Sequence, residues 1–581
     1  MAEKTVKVRI SNDQMATILD DIGDMLDIQG ESSFRVRAYH RAANSIRSMT
    51  EDINQVAREG RLTTLPAVGA GLAERIEELL ATGKMTYFEQ LKEQVPPRLL
   101  ELMQISGVGP KKAKLFYEEL KITSIDELLA AVRAHKIREL RGMSEKTEEN
   151  ILKGIELLRQ SRERILLYEA YPIASRFVSL LGEQSFVERA AMAGSLRRMK
   201  ETIGDIDLLA SSRQPYKVMD YFCSMPEVDR VLAKGDTKSS VIAQNGLQLD
   251  LRVVAPEEYG SALQYFTGSK EHSIHLRSIA VKRGLKISEY GIFDVKTGKR
   301  LGGKKEEDIY NQLGMDWMPP TLRENHGEIE AASEHRLPTL VQLENIKGDL
   351  QVHSSWSDGL NRISEVGEEA VKMGYSYIAL TDHAQKLKIA GGMTLEEIEK
   401  RQREIDRINE ESTGFTVLSG VELNIDNEGK VDYDEEILKR FDVAIASIHT
   451  GFGQSEEELT TRTVRAMENP YIHIIAHPTG RIIGKRPPFA INIEKVMDAA
   501  KETGTILELN SFPDRLDLKD DYLREAKRRG LKISIGTDAH ISWHLRYMMY
   551  GVATAQRGWL ELEDVINTYP IEKLRKVLKT K

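Results

Sequence analysis

Two well-separated sets of side chains in this sequence are spaced for phosphoryl chemistry. The first is Gly194-Ser195-Leu196-Arg197-Arg198 followed by Gly204-Asp205-Ile206-Asp207, with a third acidic position in Leu249-Asp250-Leu251. Side chains two apart on a strand point to the same side, so Asp205 and Asp207 are expected to present adjacent carboxylates. Asp250, alternating with two leucines on another β-prone run, supplies a third. Three converging carboxylates repel one another without cations, and their hard oxygens suit Mg²⁺. Two such ions can stabilise both the attacking and the leaving oxygen of an in-line displacement. Ser195 and Arg198, on the glycine-containing turn, are placed to hold the outgoing phosphates.

The second set runs from Gly348-Asp349-Leu350-Gln351-Val352-His353 through Ser357-Asp358-Gly359, Thr381-Asp382-His383, Gly420-Val421-Glu422, Ser447-Ile448-His449 and Ala476-His477-Pro478 to Gly536-Thr537-Asp538-Ala539-His540. Each sits at or just past the end of an apolar run. Strand ends of a parallel barrel meet at one rim, so ligands far apart in sequence can share one site. Imidazole and carboxylate together suit Mn²⁺, Zn²⁺ or Fe²⁺, and a bridging hydroxide on such ions attacks phosphate esters.

These sets need several elements to hold them. At 581 residues the chain exceeds one core, and about one domain per 150 residues predicts roughly four. An apolar fraction of 41% and a charged fraction of 30% describe a soluble globular protein. No stretch approaches the roughly 20 apolar residues that cross a bilayer, and Met1 to Arg9 lacks a signal-peptide core, so a cytoplasmic location with no membrane partner is expected. A single cysteine, Cys223, excludes an intramolecular disulfide. The net charge of −8 gives no global attraction to nucleic acid, leaving local basic surfaces and backbone amides to supply any DNA binding.

Residues 11 to 160 carry helical periodicity, with Met15, Ile18, Leu19, Ile22, Met25 and Leu26 on one face. Three hinges interrupt it: Leu65 to Gly71, Ile105-Ser106-Gly107-Val108-Gly109-Pro110, and the weaker Leu140 to Ser144. Their glycines permit a tight turn and leave N–H groups free at the start of the next helix, where the dipole favours an anion such as a DNA phosphate. Gly69, Gly71, Gly107 and Gly109 are the candidate backbone contacts. Lys111 and Lys112 add charge without reading sequence, and Arg35, Arg37 and Arg41 extend a basic face or simply a solvated one. An ordinary helix–helix turn is the alternative for any single hinge, and repetition argues against it. From about 186 short β-prone runs mix with helices. Residues 318 to 346, opening Met318-Pro319-Pro320 and rich in Glu, read as an extended connector. Beyond it, Tyr377–Thr381, Phe415–Val421, Val443–Ile448, Ile472–Ala476, Thr505–Leu509 and Leu531–Gly536 alternate with helical stretches, as in a mainly parallel α/β barrel.

The hinges resemble helix-hairpin-helix motifs, and Gly194-Ser195 with Gly204-Asp205-Ile206-Asp207 resembles the nucleotidyltransferase signature. Adding Tyr265-Phe266-Thr267-Gly268-Ser269 and Glu289-Tyr290 narrows the resemblance to family X DNA polymerases of the polymerase beta type, over the first ~320 residues. It implies that Asp205 and Asp207 bind both Mg²⁺ ions and that Asp250 binds the catalytic one and helps deprotonate the primer 3′-hydroxyl. It further implies that Ser195, Arg198 and Gly204 hold the triphosphate, that Tyr265, Phe266 and Gly268 lie beside the incoming nucleotide, and that Arg277 faces the template strand. Two candidate nucleotide contacts depart from the pattern: Ser273 stands where animal relatives have Asn, and Lys270 replaces an acidic residue. At the positions of the lysines that give the beta-type enzymes their 5′-deoxyribose-phosphate lyase activity stand Gly71 and Arg75. Arginine stays protonated and cannot form the Schiff base, so that activity is expected to be weak or absent.

The second set resembles the polymerase and histidinol phosphatase (PHP) domain over about 346–581. The implied metal ligands are His353, Asp358, His383, Glu422, His449, His477, Asp538 and His540. Gln351 replaces the first histidine of the usual His-x-His opening, and its carbonyl oxygen binds such metals less tightly than imidazole. The resemblance implies Mn²⁺-dependent 3′-to-5′ exonuclease activity, with abasic-site cleavage and removal of blocked 3′ ends as further options, and Mn²⁺ or Zn²⁺ as the expected metal of this site.

The expected architecture is therefore multidomain: an all-α helix-hairpin-helix part, an α+β nucleotidyltransferase palm and thumb, and a C-terminal distorted α/β barrel. The expected boundaries are 1–95 and 96–160 for the two helical domains, 161–255 for the palm, 256–320 for the thumb, 321–345 for a linker and 346–581 for the PHP domain. The expected function is gap filling in DNA repair by a monomer that uses gapped or primed DNA and dNTPs and trims 3′ ends. A barrel that only positions DNA, and a barrel that acts on small phosphate esters, are the alternatives.

Overall fold

The structure is a computed structural model that describes residues 10–47, 49, 51–105, 107–162, 164–385, 387 and 390–579. The opening segment Met1 to Arg9 and Ser106 of the second hinge lie outside the described residues.

Residues 10 to 158 are helical and share one apolar cluster. Its first helix, α1 (Asn12–Gln29), is set at one end by a capping box between Ser11 and Gln14 and at the other by Gly30 at φ 86°, the left-handed conformation that closes a helix. Met15, Leu19, Ile22, Met25 and Leu26 are buried, while Ile18 lies at the edge of that face. It packs on α2 (Ser33–Arg47). The hinges deliver α3 (Ala70–Thr82), α4 (Pro110–Leu120) and α5 (Glu145–Arg162). Because a single cluster runs from Ile10 to Leu158, residues 1–95 and 96–160 divide the motifs but not the core.

The palm is a five-stranded sheet of β1 (Arg189–Met192), β2 (Ile206–Ser211), β3 (Val228–Lys234), β4 (Lys238–Ala243) and β5 (Gln248–Val254) in the order β1-β2-β5-β4-β3. Only β2 and β5 pair in parallel. Helices α6 (Tyr259–Thr267) and α7 (Lys270–Lys282) lead to a small antiparallel sheet of β6 (Leu285–Ser288), β7 (Gly291–Asp294) and β8 (Arg300–Gly302).

The segment from Met318 to Ile346 is not an extended connector. It holds a 3₁₀ turn at Pro320–Leu322, a helix at Glu328–Ser333 and a second 3₁₀ turn at Leu343–Asn345. Arg323 is fully buried: its Nη1 lies 2.8 Å from Glu306, its Nε donates to the Met318 carbonyl at 2.8 Å, and its guanidinium lies over the Tyr310 and Trp317 rings. Glu328, also buried, takes His272 at 2.7 Å. These buried charges anchor to the thumb a stretch whose composition is that of a linker.

The barrel strands are β9 (Gly348–Val352), β10 (Tyr377–Leu380), β11 (Thr416–Asn424), β12 (Val443–Ser447), β13 (Ile474–Ile475), β14 (Ile506–Asn510) and β15 (Ile533–Gly536), all parallel and in sequence order. An isolated parallel bridge between Val352 and Ala539 brings the first strand beside the chain leaving the last, so the barrel nearly closes. Side chains of Leu350, Tyr377, Leu418, Ile445 and Ile474 fill the interior with Ile566, Leu574 and Leu578 from the chain's end. The Tyr377 hydroxyl donates to the carbonyls of Asn567 and Tyr569, fixing that closing segment near the start of β10 and leaving the C-terminal rim for the site. Palm and barrel also touch: Leu516, Tyr547 and Tyr550 belong to the palm's apolar cluster, and Arg481 pairs with Glu201 at 2.7 Å.

Candidate active sites

In the palm, β2 and β5 run side by side with Asp207 opposite Asp250 in register. Asp205 sits in the bend just before β2 rather than on the strand, so its carboxylate approaches from the turn. Gly194 makes the approach of that turn possible. Its φ is 58°, and a Cβ there would lie 2.2 Å from the Asp207 Oδ2. The Ala193 N–H donates to the Asp207 carbonyl at 2.8 Å, pinning the turn to the strand.

Burial, then the neighbouring Asp205 and Asp250, push the Asp207 carboxyl up to about 7. Burial also works against Asp250, but Lys238, Gln248 and Ser240 outweigh it and hold that carboxyl below its ordinary range. Lys238 on β4 reaches Asp250 at 2.9 Å. An ammonium beside one carboxylate and a proton favoured on its neighbour are what a carboxylate cluster adopts when no divalent cation balances it. The acidic set therefore fits divalent metal.

Arg198 donates from Nε to Glu324 at 2.9 Å and from Nη1 to the Thr267 carbonyl at 2.6 Å. Arg197 grips Glu306 through both Nη atoms at 2.7 Å, and burial notwithstanding, Arg323 and Arg197 hold Glu306 down at about 2. Gly268 lies against Arg198, 3.2 Å from its Nη1 to a would-be Cβ, so the Tyr265–Ser269 motif and the turn carrying Arg198 meet. Ser195 lies on the same one-turn helix as Gly194. Gly204 faces Arg164. Tyr265 and Phe266 meet edge to face, and Arg277 lies 5.8 Å from the Tyr265 ring while its Nε is spent on the Ser273 carbonyl. Lys270 is the first residue of α7, capped by Ser269, and the buried Ser273 Oγ has no hydrogen-bond partner among the described residues.

In the helical part, Gly69 and Gly109 cap α3 and α4, and open space surrounds Gly69, Gly71, Gly107 and Gly109. Lys111 is exposed, whereas Lys112 turns back to the Gly107 carbonyl at 2.7 Å and braces the hairpin. Arg35 is engaged by Glu31 and the Tyr87 hydroxyl, so the expected basic face is partly structural.

At the barrel rim, the chain leaving β9, β10, β12, β13 and β15 delivers members of the second set, and β11 carries one near its end. Glu422 lies within β11 and is its hub, with imidazole nitrogens of His449, His477, His353 and His383 at 3.1, 3.2, 3.4 and 3.6 Å. Burial opposes its ionisation, but these imidazoles win and hold it well below the carboxylate range. Asp358 approaches His540 at 3.3 Å and His383 at 3.6 Å, while Asp538 lies 3.2 Å from His353. Among the described residues three overlapping groups of ligand atoms converge within 4.8 Å: His353, Asp358, His383 and His540; His383, Glu422 and His449; and His353, Glu422 and Asp538. Among the described residues, both ring nitrogens of His353 and the Nδ1 atoms of His383 and His477 are buried without a hydrogen bond. Orphaned imidazole nitrogens aimed at carboxylates fit a cluster of divalent ions.

Gln351 faces the same centre. Its Nε2 donates to Glu422 at 3.2 Å, and its Oε1 accepts from Asn510 at 3.3 Å. Asn510, at the end of β14, also reaches Asp538 at 3.2 Å. Sequence reading passed over Asn510, Lys238 and Arg401. Arg401, fully buried on α8 (Leu395–Glu411), grips Asp382 at 2.8 Å, and Asp382 accepts from Ser354 and Ser357 beneath the His353 loop. Its signal was legible: Ile398, Arg401 and Ile405 form one buried stripe, and a charge on such a stripe implies a buried partner.

A nucleotidyltransferase palm joined to a metal-binding parallel barrel, with helical hairpins in front, is the class that fold and sites define. Family models match in the same order: a helix-hairpin-helix domain at 10–85, a SAM-like helix-hairpin-helix tandem at 99–156, the DNA polymerase beta thumb at 262–324 and the PHP domain at 349–512. The chain is 36% identical to the DNA polymerase/3′-5′ exonuclease PolX of Bacillus subtilis, over 97% of this chain and 98% of that protein. A probable phosphatase of Thermoanaerobacter sp. is 32% identical over 40% of this chain, and one of Acetivibrio thermocellus is 34% identical over 38%. The chain belongs to the family X DNA polymerases that carry a C-terminal PHP domain.

Proposed function

We propose that this protein fills short DNA gaps by nucleotidyl transfer in the palm and trims 3′ ends at the barrel rim. The observation that supports it most is the in-register pair Asp207–Asp250 in the same chain as the convergent imidazole–carboxylate rim. In the palm, Asp205, Asp207 and Asp250 would hold Mg²⁺, which when bound supplies charge stabilisation to the attacking and leaving oxygens. Asp250, freed from Lys238, would take the proton of the primer 3′-hydroxyl. Ser195, Arg198 and Gly204 would hold the triphosphate, with Tyr265, Phe266, Gly268, Lys270 and Ser273 around the nucleotide and Arg277 on the template side. The hairpin amides at Gly69, Gly71, Gly107 and Gly109, with Lys111, would take DNA phosphates; Lys112 would help by holding its hairpin in shape.

At the rim, His353, Asp358, His383, Glu422, His449, His477, Asp538 and His540 would hold Mn²⁺ or Zn²⁺. Such ions when bound supply an activated hydroxide for phosphodiester hydrolysis. The Bacillus subtilis relative, named a DNA polymerase/3′-5′ exonuclease, supports this assignment. We keep the palm at 161–255, the thumb at 256–320 and the PHP domain at 346–581 as the proposed limits, with 318–346 assigned to the thumb. A second reading, in which the barrel only positions DNA, rests on Gln351 filling a ligand position with an amide. The discriminating experiment offers the protein a single-stranded oligonucleotide and a small phosphate monoester with Mn²⁺. Shortening of the oligonucleotide without monoester turnover supports the nuclease; the reverse supports a phosphatase; neither supports the platform.

A further inference from the structure

A chain of buried charges runs from the barrel to the turn that carries Arg198. Helix α9 (Met548–Arg557) ends in Arg557, only 4% exposed. Its Nη1 lies 3.0 Å from the Glu324 Oε1 and donates to the Arg198 carbonyl at 3.0 Å, and its Nη2 pairs with Asp520 at 2.5 Å. The same Glu324 Oε1 takes Arg198 Nε at 2.9 Å. Arg557 thus holds the backbone of Arg198 and the carboxylate that holds its side chain. All four charged groups are at most 16% exposed.

We propose that Arg557, a barrel residue, is a positioning residue for the polymerase reaction: it sets how much of the Arg198 charge is available to the incoming triphosphate. Two arginines share one carboxylate at Glu324. With Arg557 in place, Glu324 is already compensated, and Arg198, held by Nε and Nη1, keeps Nη2 and a net positive charge for a phosphate oxygen. Without Arg557, Glu324 is left with Arg198 as its close partner in a low-dielectric site, where an uncompensated carboxylate strongly favours that pairing. The guanidinium is then neutralised locally, and the Arg198 carbonyl loses a donor that fixes the turn. The Arg557 guanidinium bonds Glu324, Asp520 and the Arg198 carbonyl, none of them a proposed metal ligand, so its effect is routed to the nucleotide through Arg198. This inference rests on the proposed role of Arg198.

The test measures KM for dNTP and kcat on gapped DNA with the full chain, alongside Mn²⁺-dependent shortening of single-stranded DNA as a report that the barrel is intact. Arg557→Ala is expected to raise KM roughly tenfold with a much smaller change in kcat and unchanged shortening. Arg557→Lys, which keeps the charge, is expected to recover most of the loss. Adding Glu324→Gln to Arg557→Ala is expected to bring KM back toward wild type, because the amide no longer neutralises Arg198. Unchanged KM in Arg557→Ala, or additive losses in the double variant, would overturn the proposal. Arg198→Ala is the separate control: if it leaves KM unchanged, the role of Arg198 itself has failed. If Arg557→Ala does not fold, Arg557→Gln, which removes the charge but keeps most of the side-chain volume, takes its place in the same comparison, and a KM equal to wild type in that variant overturns the proposal.

Discussion

Asp207 and Asp250 face each other as register partners on the one parallel strand pair of the palm sheet, and Lys238 occupies Asp250 at 2.9 Å. Two strands bring together carboxylates that belong to distant turns of sequence, and the fold holds them there at an electrostatic cost that a divalent cation relieves.

That cost has a pH signature. The Asp207 carboxyl is near 3.8 when unfolded and is pushed up to about 7 when folded, by burial, Asp205 and Asp250. The folded state therefore binds more protons between these values, and metal-free stability falls as pH rises from about 4 to about 7. Asp207→Asn is expected to stabilise the metal-free protein by ~1–3 kcal/mol at pH 8, allowing for partial exposure, and not at all near pH 4. Thermal melts with chelator at both values check this. A variant no more stable than wild type at pH 8 contradicts it.

Gly194→Ala places a methyl group 2.2 Å from the Asp207 Oδ2 at a backbone φ of 58°. Displacement of this proposed metal ligand by about 1 Å is expected to lower primer extension on the order of a hundredfold, with 3′ shortening unchanged. Extension at the wild-type rate in this variant would show that the turn tolerates a side chain and that the close packing is incidental.

Gln351→His tests the altered ligand. The glutamine amide now bridges Glu422 and Asn510. An imidazole there is expected to lower the Mn²⁺ concentration for half-maximal shortening on the order of tenfold and to raise bound metal per chain by elemental analysis. Equal metal content in both proteins would mean that Gln351 leaves metal occupancy untouched.

The 5′-deoxyribose-phosphate lyase activity of the beta-type enzymes is expected to be weak or absent. The Arg75 guanidinium lies 3.8 Å from the Tyr87 ring and bonds the Tyr39 hydroxyl, and α3 contains no lysine. Borohydride treatment with an incised abasic substrate should trap no adduct on this helix; a strong covalent product there would contradict the assignment.

Much of this was legible in the sequence for a local reason. Barrel strands buried on both faces read as continuous apolar runs, so all six runs from Tyr377 to Gly536 coincide with strands, and the ligands fall at their ends. What stayed hidden depends on distance along the chain. Lys238 meets Asp250 only through the antiparallel pairing of β4 and β5, and Arg557 meets Glu324 across 233 residues. Met318 to Ile346 misled because Pro and Glu mark linkers by composition, whereas Arg323 is buried through Glu306 and two rings that the segment itself does not contain.

The central claim is that one chain carries two independent active sites. A 5′-labelled primer on one-nucleotide-gapped DNA, with Mg²⁺ or Mn²⁺ and with or without dNTPs, tests it directly in wild type, Asp205→Ala and His353→Ala. The account predicts that Asp205→Ala loses extension and keeps Mn²⁺-dependent shortening, while His353→Ala does the opposite. Loss of both activities in either variant, or no shortening by the wild type under any condition, would contradict it.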